Sequence, residues 1–162
     1  MRGLASSSLG PDELCVRLNT LLCRNMASDR FVTLFYAQLD GASGTLRYVT
    51  AGHNPPFLMR GDGSHERLHE GGCVLGVFPQ QTFALGTVNL RGGDVVVLFT
   101  DGVTEARSTD DDEFGDDRLL AVLAENHGSN VREIQKEILK AATDFTRGPW
   151  HDDATLLVLR VA

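Results

Sequence analysis

The run Val95-Val96-Val97-Leu98-Phe99 constrains the fold of this chain more than any other stretch. β-Branched residues favour extended backbone, and an uninterruptedly apolar strand has to be covered on both faces, so this one belongs inside a sheet. It ends at Thr100-Asp101-Gly102, with Glu105 close behind. A second apolar run, Leu156-Leu157-Val158-Leu159, is entered through Asp152-Asp153-Ala154-Thr155. If the two strands are neighbours, their terminal carboxylates converge. Like charges about 4 Å apart repel by roughly 4 kcal/mol at an effective dielectric of about 20, so the pair needs a proton or a cation between its members. Oxygen-only ligands favour Mg²⁺ or Mn²⁺ over zinc. Asp-Gly is also a common turn dipeptide, so each acid alone is a weak signal and the pair carries the argument.

A chain of 162 residues with 42% hydrophobic and 23% charged content fits one soluble globular domain over residues 1–162. The formal charge of -7 argues against nucleic acid as a partner, because phosphate binding needs Lys and Arg gathered on one face. Apolar runs such as Leu119 to Ala124 fall far short of the roughly 20 residues that cross a bilayer. Met1-Arg2-Gly3-Leu4-Ala5-Ser6 lacks the apolar centre of a signal peptide, so no membrane association and a cytoplasmic location are expected. Cys15, Cys23 and Cys73 are odd in number and show no C-x-x-C spacing. They read as core thiols rather than as disulfides or a zinc knuckle.

Along the chain, Gly10-Pro11-Asp12-Glu13 opens a helix carrying Leu14, Leu18, Leu21 and Leu22. Phe31 to Leu39 and Thr45 to Thr50 form a hairpin around Asp40-Gly41-Ala42-Ser43-Gly44. Strands Phe57 to Arg60, Glu66 to Leu68, Thr82 to Leu90 and Asp94 to Thr100 read as a meander. Helical spacing returns at Asp116 to Glu125 and at Val131 to Phe145, before a closing strand from Ala154 to Val161. This order describes an α+β domain in which helices cover an antiparallel sheet. The acidic run Ser108 to Glu113 reads as solvated loop.

Three short motifs need weighing. His65-Glu66-Arg67-Leu68-His69 matches the zinc-protease pattern H-E-x-x-H, which requires a helix. Glycine-rich turns on both sides leave no room for one, and on a strand the imidazoles would stand about 13 Å apart, so the match is accidental. Arg60-Gly61-Asp62 is a hairpin turn. In Gly52-His53-Asn54-Pro55-Pro56 the tandem prolines stiffen the peptide as it leaves the sheet, so His53 and Asn54 either face a site or cap the turn.

The segments Phe99-Thr100-Asp101-Gly102-Val103-Thr104-Glu105-Ala106, Ala51-Gly52-His53-Asn54-Pro55-Pro56 and Asp152-Asp153-Ala154-Thr155 together resemble the PPM-type serine/threonine phosphatases. The similarity is to the bacterial branch typified by stage II sporulation protein E and its sigma-factor regulators. It extends from Leu14 to Val161, through Asp29-Arg30-Phe31-Val32-Thr33, Leu75-Gly76, Gly93-Asp94 and Phe114-Gly115. The resemblance implies an antiparallel β-sandwich flanked by helices that holds two Mn²⁺ or Mg²⁺ ions. Metal-activated water would hydrolyse phosphoserine or phosphothreonine on a regulatory protein of the anti-sigma-factor antagonist type. It implies Asp101 and Asp152 as metal ligands, Asp153 in a lesser role, and Gly102 where the backbone passes close to the ion. His53 and Asn54 become candidates for the substrate side.

One departure matters. The family's upstream strand with a G-D-x-x-D type motif and its following Asp-bearing loop are not matched here, and Met1-Arg2-Gly3-Leu4-Ala5 resembles the end of the helix after them. The chain is therefore expected to begin inside the catalytic domain, with an upstream sensor domain as a possible companion and with uncovered apolar surface. Alone it is expected to bind Mn²⁺ weakly at a single site and to turn over little substrate. The alternative is a non-catalytic partner-binding module of the same fold.

Overall fold

The computed structural model describes residues 9–150 and 152–162. The expectation placed on Met1 to Ala5 lies outside the described residues. In chain order the elements are α1 (Pro11–Asn25), β1 (Leu34–Asp40), β2 (Thr45–Ala51), β3 (Phe57–Met59), β4 (His65–Arg67), β5 (Gly71–Gly72), β6 (Gly86–Asn89) and β7 (Val95–Phe99). They continue with α2 (Asp101–Thr104), α3 (Gly115–Asn126), α4 (Val131–Thr146) and β8 (Leu156–Arg160). The described residues divide into two compact units, one of residues 9–55 and 68–90, the other of residues 56–67, 91–150 and 152–162.

In the first unit β2 is the hub. It pairs antiparallel with β1 from Leu34↔Ala51 to Asp40↔Thr45, and along its other edge with β6 (antiparallel) and β5 (parallel). The parallel pairing departs from the all-antiparallel expectation. Glycine makes it possible, because a Cβ on Gly71 would run into the Thr50 carbonyl. Helix α1 starts with Pro11 at its first turn and Asp12 and Glu13 beside the positive end of its dipole. It contributes Cys15 to a core with Val49, Ala51, Leu75 and Phe83.

The second unit holds the sheet β4-β3-β7-β8, antiparallel throughout. The expected meander is thus corrected: β6 joins the sheet of β2, and β7 joins that of β3. Loop composition gives no signal for such a change of sheet. One face of the sheet carries Phe57, Met59, Val95, Val97 and Phe99 into a core with Leu119 and Leu123 of α3 and Ile134, Ile138 and Ala142 of α4. Each fully buried aliphatic side chain contributes about 1.5–3 kcal/mol before entropy is counted. Asn130 caps α4, its side chain accepting from the backbone N–H groups of Arg132 and Glu133, and Arg147 ends the helix in the left-handed region at φ 50°. At the other margin of the sheet β8 has β7 as its sole described strand neighbour, and Leu157 and Leu159 are about half exposed.

Two further expectations meet the structure here. His65–Arg67 is a strand paired with β3, which removes the helix that the zinc-protease pattern needs. Cys15 is buried, but Cys73 is exposed, so the core assignment fails for that thiol: it follows the β5 glycines on a loop rather than lying on a helix face.

Candidate functional site

The register of β7 against β8 runs from Val95↔Arg160 to Phe99↔Leu156. The C-terminal end of one strand therefore lies beside the N-terminal start of the other, and Thr100 comes level with Thr155. Thr100 N–H donates to the Thr155 carbonyl at 3.1 Å, and Thr155 N–H donates to Thr100 Oγ1 at 2.9 Å. Thr100 Oγ1 in turn donates to the Asp153 carbonyl at 3.3 Å. The backbones that carry Asp101 and Asp152 are thereby held at one end of one sheet, which meets the condition the sequence reading set for their convergence.

Asp101 opens α2, a single turn that the sequence does not announce, since four residues are too few to show a helical period. Its carbonyl accepts from Glu105 N–H at 2.7 Å and from Thr104 Oγ1 at 3.3 Å. Asp101 Oδ1 accepts from the Gly102 N–H at 3.0 Å, and Asp152 Oδ1 from the Asp153 N–H at 2.7 Å. Both carboxylates are thus organised by the next residue's amide. Asp101, Glu105, Asp152 and Asp153 are exposed. Among the described residues, no ion pair involves Asp101, Asp152 or Asp153.

Gly102 has a steric reason to be glycine. A Cβ there would stand 2.5 Å from the Asp153 carbonyl oxygen and 2.9 Å from its carbon. The absent side chain lets the two acidic segments lie against each other.

The donor chemistry suits a hard divalent cation: solvent-facing carboxylate oxygens, no ion-paired base among the described residues, and a glycine where the backbones touch. Among the described residues no group of three or more His, Cys, Asp or Glu is placed to hold a metal. His53 and Asn54 belong to the other unit, just past β2, where both are half-buried. His53 Nδ1 lies 3.4 Å from Thr33 Oγ1, and Gly52 N–H donates to the Gly72 carbonyl at 3.1 Å.

Thr100 is the residue that sequence reasoning passes over. The available signal is the matched position of two threonines, Thr100 and Thr155, one beside each acidic segment at the end of an apolar run.

The sequence profile of the stage II sporulation protein E (SpoIIE) family matches residues 1–162. The chain belongs to the SpoIIE family. Among curated relatives, it is 31% identical over 161 residues to the phosphoserine phosphatase RsbU of Bacillus subtilis, covering 99% of this chain and 48% of that protein. It is 38% identical over 131 residues to protein IcfG of Synechocystis sp., covering 80% of this chain and 20% of that protein. The chain thus spans about half or less of the length of these relatives. The solved structure of the PP2C phosphatase domain with a fragment of the regulatory domain of SpoIIE from Bacillus subtilis matches with a TM-score of 0.81 at 18% identity, covering 99% of this chain and 47% of that one. The phosphatase domain of that SpoIIE protein has also been solved in a manganese-presoaked form. At this identity the likeness shows the fold, and the fold of this SpoIIE-family chain is that of a PP2C phosphatase domain.

Proposed function

We propose that this SpoIIE-family chain is the part of a metal-dependent protein serine/threonine phosphatase domain that supplies the Asp101 and Asp152 carboxylates to the catalytic cation. The observation that carries the reading is the alignment of Thr100 with Thr155, which holds the two acidic segments at one end of neighbouring strands. Asp101 and Asp152 hold Mn²⁺ or Mg²⁺, Gly102 admits the close approach of the Asp153 backbone, and Asp153 takes a lesser part. A cation held there would supply an activated water by lowering its pKa and would draw off phosphoryl charge. His53 and Asn54 are assigned to the substrate side. The substrate is phosphoserine or phosphothreonine on a regulatory protein of the anti-sigma-factor antagonist type. The family, and the phosphoserine phosphatase named among its relatives, support that assignment.

With two carboxylates in place, binding of one Mn²⁺ and slow turnover are expected. Calorimetric titration with MnCl₂ tests this on the native chain and on Asp101→Ala. The reading expects weak single-site binding that the substitution abolishes; identical isotherms remove the metal assignment.

The small number of ligands among the described residues favours a second reading, a partner-binding module that keeps the fold without the chemistry. Incubation with a phosphorylated antagonist protein and Mn²⁺ separates the two. Release of phosphate supports the phosphatase, whereas a stable complex whose phosphoserine persists supports the module.

A further inference from the structure

We infer that Thr100 is a positioning residue whose hydroxyl sets where the Asp152-Asp153 segment lies against Asp101. The inference rests on the metal-site reading above. Past the last ladder pair, Phe99↔Leu156, the next antiparallel pair would exchange two main-chain bonds between Thr100 and Thr155. Half of that exchange is made, from Thr100 N–H to the Thr155 carbonyl. The other half is not made: the Thr100 carbonyl accepts from Val103 N–H at 3.0 Å and so serves the first turn of α2, the turn that carries Asp101, while Thr155 N–H goes to the hydroxyl instead. The Thr100 hydroxyl takes the carbonyl's place, accepting Thr155 N–H at 2.9 Å.

One residue therefore serves both acids. Its main chain starts the turn that bears Asp101, and its side chain keeps the strand that follows Asp152 in pairing. The same hydroxyl donates to the Asp153 carbonyl at 3.3 Å, and a Cβ on Gly102 would stand 2.5 Å from that carbonyl oxygen, so both residues bear on where the carbonyl lies. Valine at position 100 keeps the β-branched shape and supplies neither bond; serine keeps both. Groups that orient metal ligands are worth 10–100-fold in metal affinity.

The test uses the whole chain and four variants: Thr100→Val, Thr100→Ala, Thr100→Ser and Asp101→Asn. Three readouts are taken: Thr155 amide exchange by NMR, the Mn²⁺ dissociation constant by calorimetry, and the thermal midpoint. Loss of the hydroxyl in Thr100→Val and Thr100→Ala is expected to speed Thr155 exchange and weaken Mn²⁺ binding about ten-fold. The midpoint should fall by only a few degrees, and Thr100→Ser should restore both exchange and affinity. Native-like Mn²⁺ affinity without the hydroxyl overturns the inference, as does a serine variant as weak as the valine one. Binding by Asp101→Asn equal to the native chain strikes the metal reading itself and takes the inference with it. That failure is distinguishable, because Thr155 exchange still reports on the hydroxyl's hold. Should the valine and alanine variants not fold, the serine variant decides.

Discussion

The Arg60 guanidinium meets the Asp94 carboxylate at 2.7 Å, and that carboxylate is 2% exposed. Asp94 also accepts the backbone N–H groups of Arg91 at 2.9 Å and Gly61 at 3.3 Å, so it joins the turn after β3 to the turn before β7. Arg60 keeps a second partner in Glu66, at 2.6 Å. Removing the buried carboxylate strands the two amides and takes from Arg60 the more buried of its two carboxylate partners. Asp94→Ala is expected to cost about 3 kcal/mol, and Asp94→Asn less, since the amide oxygen can still accept. Urea unfolding followed by circular dichroism measures the difference; equal midpoints for native and alanine chains would show that the turns hold without it.

Gly102→Ala places a methyl 2.5 Å from a backbone oxygen, where no flexible side-chain tip can yield. A destabilisation of about 1–3 kcal/mol is expected from the forced shift. Calorimetric unfolding reads it as a midpoint lowered by a few degrees, accompanied by weaker Mn²⁺ binding. A serine there should be no better tolerated, because the conflict is with the Cβ.

Ligand linkage gives a direct test of the carboxylate pair. At a Mn²⁺ concentration about 100 times its dissociation constant, binding to the folded chain alone adds about 2.7 kcal/mol. The thermal midpoint should rise with MnCl₂ and return when EDTA is added. In Asp152→Asn the rise should vanish, and its persistence would move the ion elsewhere.

Asn130→Ala removes the side-chain oxygen that accepts the Arg132 and Glu133 N–H groups at 3.1 and 3.0 Å. A loss of about 1 kcal/mol is expected, and Asn130→Asp should recover most of it. Denaturant midpoints of the three chains form the comparison.

Burial, helped by the charge of Asp12, pushes the Cys15 thiol up to about 11. The folded chain holds that proton more tightly than the unfolded one, so the contribution to stability is present below about pH 9 and is lost as pH rises towards 11. Native alkylation with iodoacetamide at pH 8 should therefore label the exposed Cys73 and spare Cys15, as peptide mass spectrometry would show. Rapid labelling of Cys15 in the folded chain would contradict its burial.

The long helices were legible because their apolar positions repeat: Ile134, Ile138 and Ala142 are all fully buried on one face of α4. β7 was legible because five apolar residues in succession can satisfy only a covered strand. That β7 and Leu156–Arg160 are neighbours was a premise of the sequence reading, and the β7–β8 register supplies it. What stayed hidden has physical reasons. Gly71 and Gly72 form a strand without side chains, so no alternation marks it. The turn at Asp101 is shorter than one helical repeat of evidence. Thr100 acts through a hydroxyl bonded to main-chain groups 53 and 55 positions away, and periodicity is blind to such contacts.

Among the described residues β8 has one strand neighbour, with neither proline nor lysine along Leu156–Arg160, and its one basic residue, Arg160, is engaged with the carbonyls of His127 and Ser129. Borders left this bare recruit further chains in crowded solution. Self-association along this strand is the expected consequence at high concentration, and Leu159→Lys is expected to lower the light scattering of a concentrated sample without touching the acids at the strand's other end.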